Sequence, residues 1–379
     1  MYERVLNEGQ IATDIVDAIR STTDAPLSSC IEAARNCIAV MAPFIQGDSF
    51  LRIQEAVNSY TVKVDDCYDY RLLTEMKELL EQIFKEKYEL SFSTEQDDDI
   101  LLKYLQMFAS GVTKTDPLVV KYLISMDDFQ WMDHLINVYH MDQNNAVRLA
   151  SLRCIVSLVD VCSDLLTYIL NSRLPEIVAT QFQSEDSSLS ELELTAIKLL
   201  TKIYSTEETP PLHHFEIFDV SMFMKLLNHI QVHPSEIMDF IVNFNGILGD
   251  NQRNTIVAAL IENPCPFLGQ LLVKVVNDQT TGRRLKLLKD IIAQENLYSQ
   301  LFYRNDLDVL SHILARELIN SENKTIRSQC MECISRLAEM GHCDERVREA
   351  VENSNFNDDL RSKTLAVIEK NMYSGQNKG

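Results

Sequence analysis

The phrase Val147-Arg148-x-x-x-Leu152-x-x-Ile155 returns as Ile326-Arg327-x-x-x-Met331-x-x-Ile334 and again as Leu360-Arg361-x-x-x-Leu365-x-x-Ile368. Arg284, Leu288 and Ile291 form a fourth copy. The apolar residues of each copy share one face of an α-helix. The last three arginines are 43 and 34 residues apart. A period of that size marks stacked helical pairs, in which each unit buries its apolar face only against its neighbours. The reading is an all-α, armadillo/HEAT-like solenoid of stacked helical repeats. Such stacks rarely carry chemistry, and they offer a long surface to another protein.

Composition agrees. At 379 residues the chain exceeds the size at which one compact core stops growing, and a solenoid or several domains would fit. A hydrophobic fraction of 46% is too high for disorder, and 10 Gly with 9 Pro are too few for a turn-rich sandwich or barrel. The formal net charge of −21 repels nucleic acid and anionic membrane unless basic residues gather in one stripe, and no such stripe is present. A basic protein surface would be attracted instead, less so at high salt. The nine cysteines are odd in number and mostly sit within apolar helical patterns, which suits buried thiols in a reducing compartment. No signal peptide follows Met1 and no stretch nears 18 uninterrupted apolar residues, so a cytosolic protein without membrane insertion is expected.

Along the chain, residues 1–90 read as a divergent N-terminal helical region, 91–204 as armadillo-like repeats, 205–214 as a linker within the solenoid, 215–372 as C-terminal repeats and 373–379 as a disordered tail. Asp24 is placed to cap a second helix carrying Ile31, Ala34, Cys37, Ile38 and Met41. Residues 66–88 form an amphipathic helix with Leu72, Leu73, Met76, Leu79, Leu80 and Ile83 apolar, and with Lys85, Glu86 and Lys87 on a solvated face. Asn144-Asn145 precedes the Arg148 helix, Pro175 opens another, and Ser187 to Ser190 and Asp219 are caps. Glu193 stands where other copies carry arginine, a degenerate repeat. Pro210-Pro211 after a polar run marks the linker.

The candidates for chemistry are few. The run Glu95-Gln96-Asp97-Asp98-Asp99 lacks the glycine and ligand spacing of a calcium loop and reads as a solvated loop entering a helix N-terminus. Cys330-x-x-Cys333 with His342-Cys343 has the donor types for zinc, but both members of the pair fall inside one helix, which favours core packing. His213-His214 and the scattered histidines read as surface or partner-capping imidazoles. No nucleophile elbow, phosphate loop or H-E-x-x-H is present, so no catalytic residue, cofactor site or metal site is assigned and a non-enzyme is expected. The repeat arginines are read as bridges to helix ends or acids. Arg283, Arg284, Lys286 and Lys289 form the densest basic cluster of an acidic chain, a candidate partner-binding patch, with Arg304 as a fifth member. Trp131, Phe129, Tyr139, Phe302 and Tyr303 are at helical spacing and read as mostly core.

Two stretches go beyond repeat texture. Leu285-Lys-Leu-Leu-Lys-Asp-Ile-Ile precedes Leu301-Phe-Tyr-Arg-Asn-Asp-Leu-Asp-Val-Leu310 and Ile313-Leu-Ala-Arg-Glu-Leu318. This order resembles the WISH/Dip family, in which an "LKFLKDLF" phrase precedes "FYTNDL-x-VL-x-DI" and an "R-x-L" ending. Phe302, Tyr303, Asn305, Asp306, Leu307, Val309, Leu310, Arg316 and Leu318 match, Arg304 replaces the usual Thr, and Ser311-His312 departs. Ile169-Leu-Asn-Ser-Arg-Leu-Pro175 is similar to the family's "FLNS-x-LP". The likeness covers roughly residues 120–350 and not the first 100. It implies an armadillo-like domain that binds and activates the Arp2/3 complex without a preformed mother filament, at cortical or endocytic actin sites, with actin engaged indirectly. With no SH3 domain, PxxP tract or acidic-Trp tail in the sequence, partners of those kinds and delivery of an actin monomer are not expected. The bland alternative is an armadillo-like scaffold or adaptor for another assembly. Homodimer formation, for instance through the helix around Leu360 to Ile368, stays open.

Overall fold

The structure is a computed structural model describing residues 7–92, 98–183, 188–249, 252–354 and 358–376. Among the described residues it is all-α, with 22 α-helices, one short 3-10 turn and no strand. Two compact units, 1–168 and 169–379, divide the chain, with the boundary inside a helix.

The first unit begins with α1 (Glu8–Thr22), α2 (Leu27–Met41) and α3 (Asp48–Asn58), a three-helix bundle around Ala12, Val16, Leu27, Ala34, Ile38, Val57 and Tyr60. Then come α4 (Tyr68–Glu89), α5 (Asp98–Lys114), α6 (Pro117–Ser125), α7 (Gln130–Met141) and α8 (Asn145–Val161). Here α5 lies against both α4 and α8, while α7 packs on α4 and α8. Trp131 is buried, 4.9 Å from the Phe108 ring and 6.4 Å from Phe84, as its helical spacing suggested.

The boundary helix is α9 (Leu165–Leu170). The second unit continues with α10 (Leu174–Thr180), α11 (Glu191–Ile203), α12 (His214–Ile217), α13 (Val220–His229), α14 (Pro234–Ile247), α15 (Thr255–Glu262), α16 (Pro266–Asp278) and α17 (Gly282–Ile292). It ends with α18 (Glu295–Leu301), α19 (Arg304–Asn320), α20 (Lys324–Glu339), α21 (Glu345–Asn353) and α22 (Asp358–Gln376). One layer runs α11, α14, α17, α20, α22, each helix packed on the next. The other layer includes α13 on α15, α16 on α18 and α19, and α19 on α21. This is the stacking of helical pairs that the repeated phrase implies. A core of Tyr204, Phe218, Phe223, Phe240 and Phe244, all buried, fills the start of the stack.

Local chemistry explains most helix starts. Asn144, Asp219 and Asn254 each accept a backbone N–H of the following turn, at 2.9 to 3.0 Å. Ser190 and Glu193 form a reciprocal capping box. Asp24 does not cap α2: Pro26 holds that position, and Asp24 pairs with Lys114 at 2.6 Å. Lys87 is not solvated either. It is buried and donates to Asp98 and, at 2.6 Å, to Asp142, while Asn144 donates to Asp98 at 2.8 Å. A lysine desolvated this way keeps its charge only because two carboxylates meet it. Glu95, Gln96 and Asp97 of the acidic run lie outside the described residues; Asp98 and Asp99 open α5. At the far end α22 runs on to Gln376, past the tail boundary drawn at 373, and residues 377–379 lie outside the described residues.

Candidate partner-binding surface

The repeat arginines have one job in common. Arg148, Arg284 and Arg327 stand in the first turns of α8, α17 and α20. Each donates to a carbonyl nine residues upstream, in the last turn of the preceding helix: Tyr139 at 3.1 Å, Val275 at 2.8 Å and Leu318 at 3.1 Å. Arg148 and Arg327 thus satisfy carbonyls that a helix end leaves open, Arg284 adds a second donor to one that already accepts the Gln279 N–H, and all three complement the negative end of the helix dipole. Glu193, at the degenerate position, turns the device around. It closes the capping box on its own helix and accepts Lys225 at 2.7 Å, which holds its carboxyl below the usual range against the opposing effect of burial.

The basic cluster is likewise largely engaged inside the second unit. Arg283 donates to the carbonyls of Tyr204 and Thr206 and to Asn243 Oδ1, and burial lowers its pKa. Lys286 pairs with Asp290 at 2.9 Å. Asn245 and Asn254 also donate to that carboxylate, at 3.0 and 3.2 Å. Lys289 meets Glu332 on α20 at 2.6 Å. Arg283, Arg284 and Lys286 line an open groove of about 550 Å³ with Ser205, Asp239 and Gln329. Arg304 is placed elsewhere, exposed at the start of α19.

That start of α19 is the more informative surface. Of the phrase that carries the family likeness, Phe302, Leu307, Leu310 and Leu318 are buried, so packing accounts for them. Asp306 accepts the Tyr303 N–H at 3.1 Å and caps the helix. Arg316 reaches Asn277, in the last turn of α16, at 3.3 Å. Tyr303 gives its backbone N–H to that cap, but its side chain and those of Asn305 and Val309 are not packed in the core. Tyr303 is 64% exposed, contrary to the core reading, and Val309 is 49% exposed. Asn305 and Val309 lie four residues apart on one helix face, next to Arg304. Sequence spacing missed this because Tyr303 precedes the first helical turn, where the apolar period no longer says which way a side chain points.

The remaining candidates are structural. Cys330 and Cys333 are buried in α20, and burial pushes the Cys330 thiol up to about 12 and that of Cys333 higher still. Cys343 is likewise pushed up to about 12. No group of three or more metal-ligating side chains converges among the described residues. His312 and His342 pair with Asp344 and Asp308 at 2.9 and 2.7 Å. His214 is buried against Tyr204.

A crystal structure of an engineered protein shares 12% identity over 69% of this chain and 96% of its own, at a TM-score of 0.38. Residues 216–352 match the family model "SPIN90/Ldb17, leucine-rich domain", which spans α13 to α21 and includes the exposed corner of α19. Residues 216–352 thus carry the leucine-rich domain of the SPIN90/Ldb17 family, the WISH/Dip family that the sequence resembles, and that domain family is linked to actin regulation.

Proposed function

We propose that this protein binds the Arp2/3 complex in the cytoplasm and activates it without a preformed actin filament, so that linear filaments form and can seed branched networks. The observation that carries the reading is the corner formed by Tyr303, Asn305 and Val309. These residues match the family phrase, yet their side chains are exposed rather than packed in the core, Tyr303 lending its backbone N–H to the cap of α19. A likeness at positions the fold does not need is best explained by a partner that reads them. An exposed tyrosine beside an apolar residue and an amide is also typical anchor chemistry for a protein interface.

Activation of this kind asks for no covalent step. A rigid helical stack that holds the active arrangement of its target more tightly than the inactive one shifts the population toward activity by that difference. In this reading the protein is not an enzyme, and actin is engaged only through the complex. The test mixes the full chain with Arp2/3 complex and fluorescent actin monomers, with no filament seeds and no other activator. Unbranched filaments with one capped end, imaged singly, are expected. Polymerisation no faster than with the complex alone overturns the proposal and leaves the scaffold or adaptor role.

A further inference from the structure

The loop between α11 and α12 is held by one side chain. Arg283, in the first turn of α17, donates from one terminal nitrogen to the carbonyl of Tyr204 and from the other to the carbonyl of Thr206, the latter at 2.5 Å. Those two carbonyls flank Ser205, so the guanidinium fork straddles that residue. Ser205 is exposed, and its hydroxyl donates only to the carbonyl of Lys202, at 2.7 Å. It lines the groove that Arg283, Arg284 and Lys286 also line. Arg283 and Arg284 are bonded to carbonyls and an amide, and among the described residues neither has a carboxylate within ion-pair distance. Two guanidiniums without an ion-paired carboxylate therefore line one groove with an exposed hydroxyl and the carboxylates of Glu207 and Asp239, in a chain of net charge −21.

We propose that Ser205 is a phosphorylation site for an acidophilic serine/threonine kinase, and that Arg283 with Arg284 receives the phosphate. Glu207 and Glu208 supply the carboxylates two and three residues downstream that a basic kinase cleft reads. In the transfer, Ser205 Oγ bonds to the γ-phosphorus of a nucleoside triphosphate. The bond from that phosphorus to the bridging oxygen breaks, the diphosphate leaves, and the hydroxyl proton passes to the base of the kinase. The neighbouring hydroxyls are poorer acceptors of the group. Thr206 is half-buried and donates to the Ile203 carbonyl at 3.0 Å, and Thr209 is followed by Pro210 and Pro211 rather than by acids. The product adds a near-dianion with three acceptor oxygens beside a fork that already grips the residues on either side, so charge-assisted bonds form without moving the chain far. Two acids oppose this. Glu207 lines the groove and its charge acts on Arg283, and Asp239 lies near enough to Arg284 to feel its charge. The effect is to fasten the loop to α17, independently of the actin reading.

The experiment treats the full chain with a purified acidophilic kinase and ATP, followed by peptide mapping and ³¹P NMR titration. One phosphate on Ser205 is expected, absent from Ser205→Ala. Its second ionisation, about 6 for a free phosphoserine, should fall by about half a unit or more relative to a phosphopeptide of the same loop. Arg284→Gln, which leaves Arg283 in place, should return part of that shift. Incorporation at Thr206 or Thr209 instead, no incorporation into the folded chain, or a titration equal to that of the peptide overturns the proposal.

Discussion

His214 is buried beside Tyr204, with Nδ1 3.0 Å from the phenol oxygen, and burial, aided by the charge of His213, lowers its pKa to about 4. In the unfolded chain the same imidazole titrates near 6.5. Between those values the unfolded state binds the extra proton, so stability is intact above about pH 6.5 and falls as the pH drops toward 4. At pH 5 the loss from this residue is about 2 kcal/mol. Chemical denaturation of wild type and His214→Phe at pH 7 and pH 5 measures it: the variant should lose less on acidification, and equal slopes would remove His214 from the acid response. Tyr303 shows the opposite case, a large side chain that the fold leaves out. Replacing Tyr303, Asn305 and Val309 together by Ala should leave the unfolding midpoint within about 0.5 kcal/mol. It should also weaken binding to the Arp2/3 complex at least about tenfold, or 1.4 kcal/mol. Calorimetry of binding and a melt of the same sample check both halves, and undiminished affinity would move the interface off α19.

Between helices, the repeated arginine is a joint. Arg148→Ala or Arg327→Ala frees a carbonyl at the end of the preceding helix and should cost about 1–3 kcal/mol, read by denaturant unfolding. A cost below a few tenths would mean that water replaces the guanidinium. A second joint is steric. A Cβ on Gly269 of α16 would stand 2.1 Å from the carbonyl oxygen of Leu301 at the end of α18, so these helices approach as closely as they do only because the residue is glycine. Gly269→Ala should destabilise by about 1–3 kcal/mol, whereas Gly9→Ala, whose nearest contact would be 3.5 Å, should not. Which joints could be read from the sequence follows from chain distance. The caps at Asn144, Ser190 and Asp219 were legible because donor and acceptor lie within three residues. The repeat arginines were legible as bridges because each partner lies nine residues back, a fixed offset of the hairpin. Lys87 was not, since one of its carboxylates is 55 residues away, and Arg283 was not, since the carbonyls it holds are 77 and 79 residues away. Those charges looked like surface because the groups that meet them belong to elements distant in the chain.

At the scale of the molecule the dominant quantity is the net charge of −21. Many basic side chains are already committed internally, as Lys87, Arg283, Lys286 and Lys289 show, so the outward field is that of the unpaired acids. Such a field does little for the strength of a finished interface, where desolvation offsets much of the attraction. It acts instead on approach, drawing in a partner that presents basic surface and repelling nucleic acid. The exposed corner of the family phrase is a tyrosine, an amide and an apolar residue rather than a set of ion pairs, which predicts a division of labour: charge sets the on-rate, and the α19 corner sets the lifetime. Screening separates the two, because the Debye length is about 10 Å at 0.1 M salt and shrinks as salt is added. Raising salt from about 0.05 to 0.2 M should therefore slow association with the Arp2/3 complex several-fold while leaving dissociation nearly unchanged. Surface-immobilised binding kinetics at three salt concentrations would read both constants. A salt-independent on-rate, or a dissociation rate that climbs in step with ionic strength, would place charged contacts inside the interface and reverse the roles assigned to the field and to Tyr303.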